Sequence, residues 1–312
     1  MAPHAPGRAI AYAPGSTSNL GPGFDCLGVA FTGKGDRVRA EIGATAGVQV
    51  VSVSDPRIPT DPARNTAAIA AAAVLRRAPG VHGLDLTIDK GLPLSGGMGG
   101  SAASAVAGAL AADAALGTAL SKDALLEAAL DAETVVAGRH LDNVAPSLLG
   151  GAVLVVSQDP ARFARVRVDP GLALVLATPA YGVETARARA VLPAGVTRAD
   201  AIAQASNLAA LLLGLERGDL DLVRAAMHDL IAEPARASLY PGYAQARAAA
   251  MGEGALGVVV SGAGPTVVAI VPGAGSRAVG EALLRGYRSV GIDAVAHEAQ
   301  VDEVGARVES QG

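Results

Sequence analysis

The sequence holds no tryptophan, only three phenylalanines and five tyrosines, and a single cysteine in 312 residues. One cysteine excludes an internal disulfide framework. With aromatics at 3%, any core must be filled by valine, leucine, isoleucine and alanine on closely approaching elements. Lysine is scarce as well: Lys34, Lys90 and Lys122 are the only three among 25 basic residues. A net charge of −4, with no basic run and no aromatic interleaving, speaks against nucleic-acid binding. Long apolar runs are also missing. The longest, 67–75 and 208–215, fall far short of the roughly 20 residues that span a bilayer. Residues 1–12 lack the apolar centre of a signal peptide. The expectation is a soluble, cytoplasmic protein with no membrane or nucleic-acid partner.

Present instead are apolar residues at 51% and 39 glycines, on a chain longer than one hydrophobic core usually serves. Two domains are expected. Period-two patterning predicts strands near 9–13, 38–42, 48–53, 84–88, 152–156, 172–177, 256–260, 267–270 and 292–297. Helical patterning predicts 65–77, 102–116, 122–136, 198–216, 220–231, 243–251 and 275–290. Strands run together early and helices cluster in the middle, which reads as an α+β fold. The polar, proline-containing stretch 157–170 separates two apolar strands and divides the chain into 1–160 and 161–312. The last ten residues are expected to be poorly ordered.

Four glycines fall within 96–100, after a strand and directly before an alanine-rich helix. Glycines let a backbone approach a ligand where a Cβ would forbid it. The free N–H groups at the helix start then face that ligand along the positive end of the dipole. A polyphosphate suits such a place, although the loop is neither a Walker A sequence nor a clean Rossmann fingerprint; a plain glycine turn is the alternative. A second segment, 13–28, sets Asn19 and Asp25 among glycines and prolines after a strand, as a stiff polar loop for a ligand amine or hydroxyl, or as ordinary turn formers. A third, 138–151, gathers His140, Asp142 and Asn143 just before a buried strand, where polar groups must be paired or face a ligand. Glu133 lies seven residues upstream of His140, in reach of a metal ion or simply exposed. A fourth, 257–270, is an apolar strand broken by Ser-Gly-Ala-Gly-Pro-Thr, which implies a ligand or another backbone close to Gly262 and Gly264. Arg187, Arg189 and Arg236 are candidates for carboxylate recognition.

The glycine loop and the segments before and after it, in this order, resemble the motifs of the GHMP kinase family. Within it, residues 16–28, 140–146, 188–193 and 231–236 are most similar to those of the homoserine-phosphorylating branch. The resemblance implies a domain like ribosomal protein S5 domain 2 followed by a ferredoxin-like half, and a kinase using ATP and Mg²⁺ on L-homoserine. By resemblance, Pro93, Leu94, Ser95, Gly96, Gly97, Met98, Gly99, Gly100, Ser101, Ala102 and Ala103 hold the ATP phosphates. Asn65 borders the nucleotide and Lys90 lies near the phosphates, while Ser101 and Glu133 hold the metal. Asn19 and Asp25 take the substrate amino group and Arg189 and Arg236 its carboxylate. His140 and Asn143 lie by the reacting hydroxyl, with Asp142 next to Asn143 as the other group that could face it. One departure is Gly100, where the family loop usually has the first of two serines. A kinase for another small alcohol, or a non-catalytic metabolite-binding protein, are the competing readings. The oligomeric state is left open, a homodimer included.

Overall fold

A computed structural model describes residues 6–136 and 138–312. Two sheets carry the fold. The first has seven strands: β1 (Arg8–Asn19), β2 (Gly23–Ile42), β3 (Gly47–Val53), β4 (Gly83–Asp89), β5 (Ala152–Gln158), β6 (Ala161–Val166) and β11 (Arg307–Gln311). Their order is β11-β1-β2-β4-β3, with β5 on the other part of the long β2 and β6 beyond it. The second sheet orders β10 (Ala294–Ala299), β7 (Leu172–Pro179), β9 (Val267–Pro272) and β8 (Gly257–Val260), all antiparallel.

Helices α1 (Thr66–Leu75), α2 (Gly100–Leu116), α3 (Lys122–Val136) and α4 (Leu141–Leu149) belong to the first sheet's core. Next in the chain come α5 (Thr185–Ala190), α6 (Arg198–Arg217), α7 (Leu220–Ala226) and α8 (Ala232–Arg236). Against the second sheet lie α9 (Tyr243–Gly252) and α10 (Ser276–Arg288). The helix α2 is alanine and glycine almost throughout and is buried on nearly all sides, as a helix without a polar face must be. Its closeness to α1 is set by Gly108, where a Cβ would lie 2.5 Å from the Ala67 carbonyl oxygen. The second core does use aromatics, with Tyr240, Tyr243 and Tyr287 buried together.

The α+β reading stands and every expected strand is present, but β1 and β2 run far beyond 9–13 and 38–42, and β6 and β11 are strands beyond those expected. Three expectations do not stand, and α4 is an unforeseen helix. Residues 13–28 are not a loop: β1 runs to Asn19 and β2 starts at Gly23, leaving a turn of three. The helix expected over 220–231 stops at Ala226, because the Asp229 carboxylate accepts from the N–H groups of Ile231, Ala232 and Glu233 and starts α8 instead. The segment 141–149 is helical despite Pro146 inside it, since Leu141, Val144, Ala145 and Leu148 form a buried face. The chain end is ordered: β11 pairs with β1 from Ala9 to Tyr12. Strand β6 hydrogen-bonds to β5, so we propose that the division between the halves falls after it, within 167–171.

Gly108→Ala adds a better helix former at the α1–α2 contact and is nonetheless expected to destabilise by about 1–3 kcal/mol through overpacking against backbone. Urea unfolding reads this directly.

Candidate active site

The loop after β4 reaches α2 through left-handed residues at Ser95 (φ 52°), Gly97 (75°) and Gly99 (67°). Side chains are excluded at both glycines. A Cβ on Gly97 would lie 2.5 Å from the Ser261 carbonyl oxygen and 2.8 Å from that of Gly264, and one on Gly99 would lie 2.1 Å from Ser16 Oγ. The loop is thus wedged between β1 and the β8–β9 turn. The other backbone inferred near Gly262 and Gly264 is this loop. It is held by Ser261 Oγ donating to the Gly97 carbonyl, by Thr266 N–H to Gly96 O (3.2 Å) and by Ser16 N–H to Met98 O (3.1 Å). The ladder of α2 begins with Ala103 N–H to Gly99 O at 2.9 Å. The N–H groups of residues 100–102 therefore carry no helical bond, and an anion there meets the positive end of a 17-residue helix.

A cleft of about 590 Å³ opens over this helix start. Nearly every residue singled out in the sequence lines it: Asn19, Asp25, Asn65, Lys90, 93–97, Gly99, Gly100, Ser101, Glu133, His140, Asp142, Asn143, Arg189 and Arg236. The side chains of Met98, Ala102 and Ala103 do not; they are buried in the first core or against it. Arg187 is exposed away from the cleft, two residues from Arg189 on α5 and so on another face of that helix.

At one end, Ser101 Oγ donates to Glu133 Oε1 at 2.8 Å, and the other carboxylate oxygen, Oε2, is buried without a protein partner. Burial pushes the Glu133 carboxyl above its ordinary range, and the Ser101 hydroxyl pulls it back in part. An orphaned carboxylate oxygen beside a hydroxyl and a helix N-terminus fits Mg²⁺, which keeps waters and phosphate oxygens for most of its shell. Asn65 is occupied otherwise: its Oδ1 caps α1 through Ala68 N–H (3.2 Å) and its Nδ2 donates to Pro59 O (2.8 Å). Lys90 is pinned by a group the sequence reading passed over. The Asp36 carboxylate, 0% exposed, takes hydrogen bonds from the Lys90 ammonium, Ser104 Oγ, and the N–H groups of Gly91 and Leu92. Its parity with buried Val38 and Ala40 along β2 was the available signal, since a carboxylate on that face needs partners.

At the other end, Arg189 forks onto Asp25 with Nη1–Oδ2 at 3.0 Å and Nη2–Oδ1 at 2.8 Å. Its Nη2 also reaches His140 Nδ1 at 3.1 Å; a guanidinium only donates, so Nδ1 accepts. Arg236 differs. It is 4% exposed, donates to the Ala188 carbonyl (2.8 Å) and the Gly262 carbonyl (3.2 Å), and makes no ion pair among the described residues. Burial pulls its guanidinium below the ordinary value. Both guanidinium groups lie over the Phe24 ring, at 5.9 and 5.1 Å. Asn19 and Asp25 adopt left-handed backbone (φ 74° and 57°), and Asn19 locks the turn by accepting from Asp25 N–H (3.1 Å) and donating to Gly262 O (3.0 Å).

Between Asp142 and Asn143 the structure distinguishes. Both ends of the Asn143 amide are engaged, Nδ2 with Ser18 Oγ at 3.2 Å and Oδ1 with Ser16 Oγ at 3.1 Å. Asp142 is buried with Oδ1 unpartnered. Burial, then the charge of Asp25, raises its carboxyl from near 3.8 to about 6. The start of α4 is pressed on β2 at Gly28, where a Cβ would lie 1.6 Å from the Asp142 carbonyl oxygen.

Models of the GHMP kinase N-terminal and C-terminal domains match residues 65–151 and 209–289. A homoserine kinase of Xanthomonas campestris pv. campestris is 39% identical over 96% of this chain and 94% of its own length. One of Halorubrum lacusprofundi is 38% identical over 93% and 95%. This chain belongs to the homoserine kinase family. In agreement, the crystal structure of the Cytophaga hutchinsonii homoserine kinase superposes with a TM-score of 0.93 at 34% identity, covering 97% of each chain. The family's two-domain GHMP kinase fold is therefore the fold described above, and it makes the chain an ATP-dependent small-molecule kinase. Among the described residues no helix is long and apolar enough to cross a membrane.

The two carboxylates in the cleft's ion pairs differ in burial, and so in what their loss costs. Asp25 and Arg189 are 36% and 37% exposed at the side chain, so Asp25→Ala is expected to cost under about 1 kcal/mol of stability. Asp36→Ala strands a buried ammonium and is expected to cost about 3–5 kcal/mol. Chemical denaturation of the two variants checks the contrast.

Proposed function

We infer that the chain transfers the γ-phosphoryl group of ATP to the side-chain hydroxyl of L-homoserine, giving O-phospho-L-homoserine and ADP, a step towards threonine. The observation that carries this reading is Arg236, a buried cation with no anion among the described residues, in the same cleft as Asp25 and the start of α2. An amino-acid zwitterion fits both: its carboxylate meets the unpaired Arg236, and its ammonium adds a second cation to Asp25, which Arg189 already holds in place. Asn19 holds the Asp25 turn in shape. Mevalonate or a sugar offers no ammonium to Asp25.

The start of α2 and the glycine loop would take the triphosphate through backbone N–H groups, and Ser101 and Glu133 would hold Mg²⁺. Bound there, the ion would neutralise charge on the phosphates. The chain's own part is alignment and proton handling. As the hydroxyl oxygen bonds to the γ-phosphorus and the bond to the ADP oxygen breaks, the hydroxyl proton passes to the free Oδ1 of Asp142. Asn143, fixed by Ser16 and Ser18, holds the start of α4 in register. His140, accepting from Arg189, keeps that guanidinium turned to Asp25.

A coupled ADP-release assay over homoserine, mevalonate and simple sugars is expected to show turnover with homoserine; turnover with another alcohol instead would overturn the assignment. Arg236→Ala should raise KM for homoserine at least tenfold and leave that for ATP within threefold; equal losses would remove its carboxylate role. Asp142→Asn should lower kcat by about 10²–10⁴ without unfolding the chain. Because Asp142 acts ionised and its carboxyl is raised to about 6, kcat should climb as pH rises through 6 and the proton leaves.

A further inference from the structure

The buried Asp36 does not line the cleft, yet it touches three pieces of the nucleotide end at once. It lies on β2 in the first sheet. Its Oδ1 accepts from Gly91 N–H (3.1 Å) and Leu92 N–H (3.2 Å), the lead-in to the glycine loop. Its Oδ2 accepts from Ser104 Oγ (2.6 Å), one turn into α2, and from the Lys90 ammonium. Lys90 in turn donates to the carbonyl of Gly100, the first residue of α2, and to Ser104 Oγ (3.0 Å). Gly100 leaves the room for this: a Cβ there would lie 3.1 Å from Lys90 Nζ.

We propose that the Asp36–Lys90 pair is the positioning element of the phosphate site, setting where the loop ends and α2 begins, and that Lys90 acts through this hold on Gly100 rather than as a ligand to the phosphates. The ammonium has its charge met by Asp36 and its three protons directed to Asp36, Gly100 and Ser104. A spare positive charge for the nucleotide is thus not what this lysine offers. The proposal rests on the kinase reading of the cleft but not on which alcohol is phosphorylated.

The test therefore reads ADP binding by calorimetry on the full chain, with KM for homoserine measured beside it. The neutral pair Asp36→Asn with Lys90→Met is expected to fold, judged by circular dichroism and thermal melting. It should bind ADP at least tenfold more weakly and keep KM for homoserine within threefold. ADP affinity within threefold of the unmodified chain would reduce the pair to a stability element and overturn the proposal. Asp36→Asn alone should weaken ADP as Lys90→Met does; tighter ADP binding in Asp36→Asn would mean that the freed ammonium is a ligand, which also overturns it. If that single variant does not fold, Ser104→Ala keeps both charges and removes one leg of the hold. It should weaken ADP three- to tenfold, and unchanged affinity there counts against the proposal. Loss of homoserine turnover in the unmodified chain with ADP binding intact would instead fault the substrate assignment and leave this result readable.

Discussion

Backbone meeting backbone at Gly97 is the contact on which the cleft depends. The glycine loop comes from the first sheet's half and the Ser261–Gly264 turn from the second, and they meet closely enough that no Cβ fits between them. That crossing brings Gly262, whose carbonyl receives Asn19 and Arg236, beside the start of α2. One steric requirement thereby joins the helix-start end of the cleft to the end that holds Asp25, Arg189 and Arg236, and the aromatic-poor composition makes such close approaches possible throughout the first core.

Charge in the cleft is arranged by what is left unpaired. Asp25 and Arg189 satisfy one another near the surface, where separating them is cheap, while Arg236, Glu133 and Asp142 are buried with unmet demand. Such groups oppose folding. Asp142 shows the sign: its carboxyl is raised in the folded chain, so the folded form binds the proton more tightly than the unfolded form does. Its contribution to stability is present at low pH and is lost as pH rises through about 6. In its proposed role as base, Asp142 gains activity over the same pH range in which it loses stability.

Much of this was legible in the sequence. The glycine loop, the Asn19–Asp25 turn and the 140–143 cluster all proved to line one cleft, because small residues that admit close backbone approach leave a pattern in composition. The hidden parts have physical reasons. Pro146 and flanking glycines masked α4, which is only nine residues long. The inner lengths of β1 and β2 carry serines and glycines usual for loops, because they are covered by α2 and α4 and small size is what fits there. Asp36 could have been found from strand parity alone. Its partners could not, since Ser104 and Lys90 reach it only through the tertiary fold.

Strand β11 closes the edge of β1, and the two lie at opposite ends of the chain. During synthesis the first sheet must wait with that edge bare, its N–H and C=O groups open to any neighbouring strand, until the far end of the chain has emerged. The half that carries the glycine loop therefore starts first and is completed last.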